Sequence, residues 1–174
     1  MATFYSDVFS SDPSTFTKQD RRAGALTAGA VLYKRAYLTI PDTANGDVIR
    51  LCKVHSSDRI HKLVMSSGDS GTAGTIDLGL YDLPDDPDGS GIGTAVDDDL
   101  FASAIDVNTA ALSQVDQFDE AALDDFDRGK QVWELLGLSS DPQKEYELCA
   151  TMDAGSTQAF EFLLEVEWSP GSAS

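Results

Sequence analysis

Three runs between Gly46 and Asp82 set the hydrophobic pattern of the chain. Val48–Val54 and Ile60–Met65 are dense in β-branched and large apolar residues and contain no proline. Thr75–Tyr81 alternates cleanly, with Ile76, Leu78 and Leu80 on one face and Thr75, Asp77, Gly79 and Tyr81 on the other. A Ser-Asp turn and a Gly/Ser-rich loop join the three, which predicts a meander that needs a second sheet to cover it.

The same period-2 pattern recurs on both sides of this stretch. Ala30–Ile40 predicts a long strand with Leu32, Ala36, Leu38 and Ile40 on one face. Its other face carries Val31, Tyr33, Arg35, Tyr37 and Thr39, an amphipathic set suited to a partner. Toward the C-terminus, Glu145–Met152 and Ala159–Trp168 each pair an apolar face with an acidic one, and the Ala-Gly-Ser connection between them suits a hairpin. Leu100, Phe101, Ala104 and Ile105 share a helical face behind Asp97-Asp98-Asp99, predicting a short helix over Asp98–Ile105 capped by the acids. A second apolar turn is predicted over Lys130–Leu136, stopped near Gly137 and Pro142, while Ile105–Val115 returns weakly to extended structure. The resulting expectation is all-β: an antiparallel β-sandwich, jelly-roll-like, of about eight strands with two short helical insertions.

Residues 1–28 show no sustained periodicity and read as an extended N-terminal arm, residues 29–169 as the β-sandwich domain, and residues 170–174 as a flexible tail. The arm carries Phe4, Tyr5, Phe9 and Phe16, too many aromatics for an ordinary solvated tail, followed by Lys18, Arg21 and Arg22.

Charge sharpens the picture. The net charge of −18 on 174 residues argues against autonomous binding to nucleic acid or to an anionic membrane. It is unevenly placed: residues 1–62 hold nine Lys and Arg against six acids, and residues 63–174 hold three against twenty-four. A solvated acidic surface and a docking polarity both fit this distribution. No stretch approaches the ~20 apolar residues of a membrane span, and no secretory signal is expected. Cys52 and Cys149 fall in different predicted strands; one disulfide is possible, two buried thiols are the simpler reading.

Catalytic signatures are not found. His55 and His61 are the only histidines, and no GxSxG motif accompanies them. GSGIGT lies in a Pro-rich loop rather than opening a long helix, so it is no nucleotide fingerprint. In the Asp82–Asp88 loop an EF-hand register would place Pro84 third and Pro87 sixth, which disfavours calcium. No cofactor, metal site or enzymatic activity is expected.

Three stretches carry a family resemblance: GDVIRLCKVHSSDRIHKLVMSSGDSGTAGTIDLGLYD, VDDDLFASAIDVNTA and GKQVWELLGLSSDPQKEYELCATMDAGSTQAFEFLLEVEW. In their order and spacing the chain resembles the decoration or cement proteins of tailed-bacteriophage heads, over most of residues 30–168. The resemblance implies a structural virion protein on the outer capsid surface, assembled in the host cytoplasm, bound to the major capsid protein and to itself, a homotrimer before a dimer. It leaves the mode of attachment open. Placement of basic and aromatic residues points to Phe4, Tyr5, Phe9, Phe16, Lys18, Arg21, Arg22, Lys34 and Arg35 as capsid contacts. The alternative is a virion-surface carbohydrate-binding or adhesion module, for which Tyr33, Tyr37 and Tyr81 are the candidate platform.

Overall fold

A computed structural model describes residues 3–5, 31–86, 89, 91–108, 111–118 and 123–171. Among them nine strands and one helix follow in order: β1 (Thr3–Tyr5), β2 (Leu32–Ile40), β3 (Val48–His55), β4 (Arg59–Ser67), β5 (Thr75–Asp82), β6 (Ala95–Asp106), β7 (Leu112–Asp116), α1 (Val132–Leu135), β8 (Glu145–Ala154) and β9 (Phe160–Ser169). They form two sheets, ordered β1-β3-β8-β5-β6 and β2-β9-β4-β7. All pairings are antiparallel except β1 with β3. The expected antiparallel sandwich is therefore the fold.

Alternation decides which side chains meet between the sheets. In β9, Phe160, Phe162, Leu164 and Val166 are buried; in β2, Ala36, Leu38 and Ile40 are. They meet Ile49, Leu51, Ile76, Leu78, Leu80, Leu148, Ala150 and Met152 from the five-stranded sheet in one continuous core. β8 and β9 are the central strands, each flanked on both sides.

Connectivity departs from the sequence reading in two places. β3, β4 and β5 are not a meander: β4 belongs to the other sheet, and β8 separates β3 from β5. The Ser56-Ser57-Asp58 turn, expected to join neighbouring strands of a meander, is buried and carries the chain across to the other sheet. Asp58 closes it by accepting from the His55 amide at 2.8 Å, and the Asp58 amide returns to the His55 carbonyl at 2.9 Å. Nor do β8 and β9 form a hairpin, because they lie in different sheets. Their connection runs beside the β2–β3 connection. There Thr43 N donates to Ser156 Oγ at 3.1 Å and Ser156 N donates to Thr43 Oγ1 at 3.0 Å. A Cβ at Gly155 would overlap the Thr43 carbonyl, so the close approach requires glycine.

The helix expected over Asp98–Ile105 is strand β6. Between the Leu80–Asp97 and Leu78–Ala102 pairs, β6 advances five residues while β5 advances two. That bulge turns consecutive Leu100 and Phe101 inward, and Ala104 takes a φ of +50°. The irregular spacing copied a helical face. The second insertion does form a helix, α1. Gln131 N donates to Glu134 Oε2 at 2.7 Å at its start. At its end Gly137 has a φ of +67°, with Gly137 N to Glu134 O and Leu138 N to Trp133 O both 3.0 Å, the double closure of a Schellman motif.

Candidate interaction surface

Of the residues expected to make contacts, four lie among the described residues. Phe4 and Tyr5 lie in β1, whose backbone runs parallel to β3 with Phe4 opposite Ile49 and Tyr5 opposite Arg50. Phe9, Phe16, Lys18, Arg21 and Arg22 lie outside the described residues. Lys34 and Arg35, adjacent in β2, point to opposite faces. Lys34 is half-buried with its Nζ 5.4 Å from the Trp168 ring centroid, whereas Arg35 is exposed, its guanidinium 6.0 Å from the Tyr37 ring.

Arg35 thus belongs to the outer face of the four-stranded sheet. There Val31 is 61%, Tyr33 55% and Tyr37 37% exposed, the set picked out by alternation. Acids of β9 hold the phenols in place. Tyr33 stands opposite Glu167 in the register but donates its hydroxyl to Glu165; Tyr37 stands opposite Leu163 and donates to Glu161 at 2.9 Å. These acceptors, with the carboxylate charge beside them, push both phenols above their ordinary range. Tyr81 does not join them. It is buried, with its hydroxyl 2.8 Å from Thr151 Oγ1.

The burial of Tyr81 follows from a cover that the sequence reading missed. The Glu145–Thr151 face of β8 was expected to be wet and acidic, yet Glu147, Cys149 and Thr151 are all buried. Residues of the 83–94 loop close it. Ile92 packs against Val48, Tyr81 and Cys149, and Arg50 Nη1 donates to the carbonyls of Gly89 at 2.7 Å and Gly91 at 3.0 Å. Arg50 is in turn forked onto Glu147, both side chains being within 3% of full burial. The available signal was an arginine inside an apolar strand, VIRLCKV, and a glutamate inside YELCA. A buried charge needs a partner, and the two supply one another.

Both histidines make local structural contacts. His55 Nδ1 lies 2.8 Å from Ser57 Oγ within the buried turn, and His61 Nε2 lies 2.9 Å from Ser169 Oγ in the other sheet. Asp82, Asp85 and Asp86 line a shallow depression, and Lys144 Nζ donates to Asp82 at 2.6 Å. Among the described residues, no group of three His, Cys, Asp or Glu is placed to hold a metal ion. Arg128 ties the 123–130 segment down: Nη1 reaches Asp116 at 2.9 Å, Nη2 reaches the Phe118 carbonyl at 3.0 Å, and the guanidinium sits 4.9 Å from the Phe118 ring.

Two sheets with these crossovers define a two-layer β-sandwich. The structure is similar to a chain in the capsid of Ralstonia phage GP4, with a TM-score of 0.59 and 17% identity over 99% of this chain and 100% of that one. It also matches chains in the cyanophage Pam1 capsid asymmetric unit, at a TM-score of 0.44 and 12% identity over 91% of this chain and 99% of that one, and in the capsid of Helicobacter pylori bacteriophage KHP30, at 0.33 and 13% over 82% and 94%. At 17% identity the first of these likenesses is one of fold. No protein-family model matches the chain, and comparison with curated proteins finds no match.

Proposed function

We propose that this chain is a structural protein of a phage virion, one that decorates and stabilises the capsid by binding the major capsid protein lattice from outside. The observation that carries the reading is the end-to-end likeness to a chain in the capsid of Ralstonia phage GP4, which spans 99% of this chain and all of the other. The acidic balance of residues 63–174 fits a protein that must stay soluble and apart from its own kind until a lattice is ready, in the host cytoplasm where heads assemble.

Contact with the lattice falls to residues 1–40: the arm over residues 1–28 and the first strand of the sandwich, residues 29–169. Ordering an arm loses about 1–2 kcal/mol of backbone entropy per residue. Burying a large aromatic side chain returns roughly 1.5–3 kcal/mol, so four aromatics offset only a handful of residues and backbone pairing must add to them. The N-terminal residues have that capacity, since Thr3–Tyr5 already pair as a strand along β3.

The decisive experiment adds purified protein to undecorated heads and measures co-sedimentation. The intact chain should saturate the heads, and a chain lacking residues 2–16 should keep its β-rich circular dichroism while attaching far more weakly. Wild-type attachment by the truncated chain would overturn the role of the arm. A second reading, glycan binding at the virion surface, is favoured by Tyr33 and Tyr37 standing exposed on one sheet face. Glycan-array binding without affinity for heads would select it.

A further inference from the structure

One large apolar side chain stands out of the molecule almost entirely. Phe126 is 89% exposed, whereas Val31, the next of the described large apolar residues, is 61% exposed. A single exposed aromatic on a loose loop is ordinary. The turn that carries this one is braced from within. Asp124 N donates to Asp127 Oδ2 and Phe126 N to Asp124 Oδ1, both at 2.8 Å, and Asp127 N donates to the Asp124 carbonyl at 2.9 Å.

The turn is also tied to the four-stranded sheet. Arg128 bonds Asp125 at 3.1 Å inside the turn and Asp116 of β7 at 2.9 Å outside it, and Gly129 N donates to the Ile60 carbonyl of β4 at 3.2 Å. A backbone held at this many points has little freedom left to lose on binding. That is the state in which an interface anchor is most effective.

Its place in the sandwich gives the ring a use. Phe101 of β6 and Phe118, just beyond β7, pack with ring centroids 5.7 Å apart, so β6 and β7 share one side of the molecule. The strand orders then put β1 and β2 on the other side. The Arg128–Asp116 tie fixes Phe126 on the β7 side, whereas the proposed contact through residues 1–40 comes from the β1–β2 side. One contact coats a lattice subunit. Two contacts on opposite sides bridge a pair of subunits, which is what stabilises a shell.

Charge defines the partner. Asp124 and Asp125 are exposed beside Phe126, so a pocket that accepts the ring meets carboxylates at its rim. A second copy is a poor source of that pocket. Its net charge of −18 opposes approach, and Arg128, Lys130 and Lys144, the three bases of residues 63–174, are each paired with an aspartate. We infer that Phe126 anchors a second capsid contact, inserting into an apolar pocket rimmed by lysine or arginine on a lattice subunit next to the one that holds the arm. The inference rests on the proposed decoration of the lattice and adds the contact that makes it a bridge.

Phe126→Ser tests it in the full chain. The ring is exposed, so the melting temperature should stay within a few degrees of wild type. In co-sedimentation with undecorated heads the variant should attach about tenfold or more weakly, with Phe126→Leu losing less. Heads saturated with Phe126→Ser should also gain less resistance to heat than heads saturated with wild type, because the remaining contact coats without bridging. Asp124→Asn/Asp125→Asn keeps both side-chain acceptors and should weaken attachment and flatten its salt dependence. A Phe126→Ser chain that attaches and protects like wild type overturns the inference and leaves decoration standing. Tighter attachment by the neutralised variant overturns the basic rim. Self-association of wild type that Phe126→Ser abolishes overturns the lattice pocket in favour of a second copy. A wild-type chain that does not attach to heads overturns decoration itself, and the inference with it.

Discussion

Arg50 and Glu147 form a buried fork across β3 and β8, with Nε donating to Oε2 at 2.7 Å and Nη2 to Oε1. The pair is diagonal: the register sets Cys149 opposite Arg50 and Lys53 opposite Glu147. Arg50 spends its remaining reach on the Gly89 and Gly91 carbonyls, so one guanidinium joins the sheet to the loop that covers it.

Removing one partner strands the other charge in a dry site. Glu147→Ala should lower the urea-unfolding free energy by roughly 3–5 kcal/mol, because the buried guanidinium loses its counter-charge. Replacing both, as Arg50→Met/Glu147→Leu, should recover much of that loss while leaving the 83–94 loop easier to nick with protease. If the single and double variants are equally unstable, the fork contributes through packing and not through charge.

A different constraint operates at Gly79. The backbone of β6 passes directly over it, and a Cβ there would overlap the Asp97 carbonyl and the Asp98 backbone. Gly79→Ala should therefore destabilise by about 1–3 kcal/mol or more, through displacement of the β6 bulge. Gly137→Ala meets no neighbouring atom, and there the loss comes from its φ of +67° alone. Comparing the two urea midpoints separates steric overlap from backbone strain.

Both cysteines are free and buried. Burial pushes the Cys52 thiol up to about 11 and raises Cys149 well above the ordinary thiol range. Almost no thiolate exists near pH 8, so native protein should resist iodoacetamide, with labelling following global unfolding. Rapid modification of either residue in native buffer would show that its strand opens locally.

Stability should rise as the solution is acidified from neutrality toward pH 4. Burial raises Asp77 against the opposing Ala104 amide, and burial followed by the Asp99 hydrogen bond raises Asp97. A carboxyl whose folded value lies above its unfolded one binds protons on folding. Its stabilising contribution is present below the unfolded value and lost as pH rises through the folded one. Asp141 acts in the other direction. Burial opposes its ionisation, but Ser56, the Gln143 amide and His55 outweigh that, so its contribution is lost on further acidification. Melting temperature against pH should be measurably flatter above pH 4 in Asp77→Asn/Asp97→Asn. An unchanged slope would assign the effect to the net charge alone.

Strand identity was legible wherever one face is buried and the other wet, as in β2 and β9. It failed where covering elements come from far along the chain. The face of Glu147, Cys149 and Thr151 reads as solvent-facing because its cover is a loop of Pro, Gly and Asp with no apolar periodicity of its own. Leu100 and Phe101 mimic a helix because a bulge puts neighbours on the same side, which a period-2 template cannot represent. Pairing was the least legible layer. Local signals at Ser56–Asp58 and Ala154–Ser156 specify a change of direction, not which sheet receives the next strand. Of the interaction surface, the outer face of β2 could be read from alternation, whereas the opposite facing of Lys34 and Arg35 gains meaning only once Trp168 is in place.

The placement of β8 and β9 at the centre of the two sheets has a consequence in time. Among the described strands only β5 and β6 pair as neighbours in sequence, and β2, β3 and β4 find their ladders chiefly on the last two strands. On the ribosome, most of the chain is therefore synthesised before either sheet can be assembled. Non-local pairing of this kind folds slowly and leaves unpaired edges open meanwhile. A high density of negative charge keeps such waiting chains apart, so the acidity that the finished molecule carries on its surface also protects the nascent one.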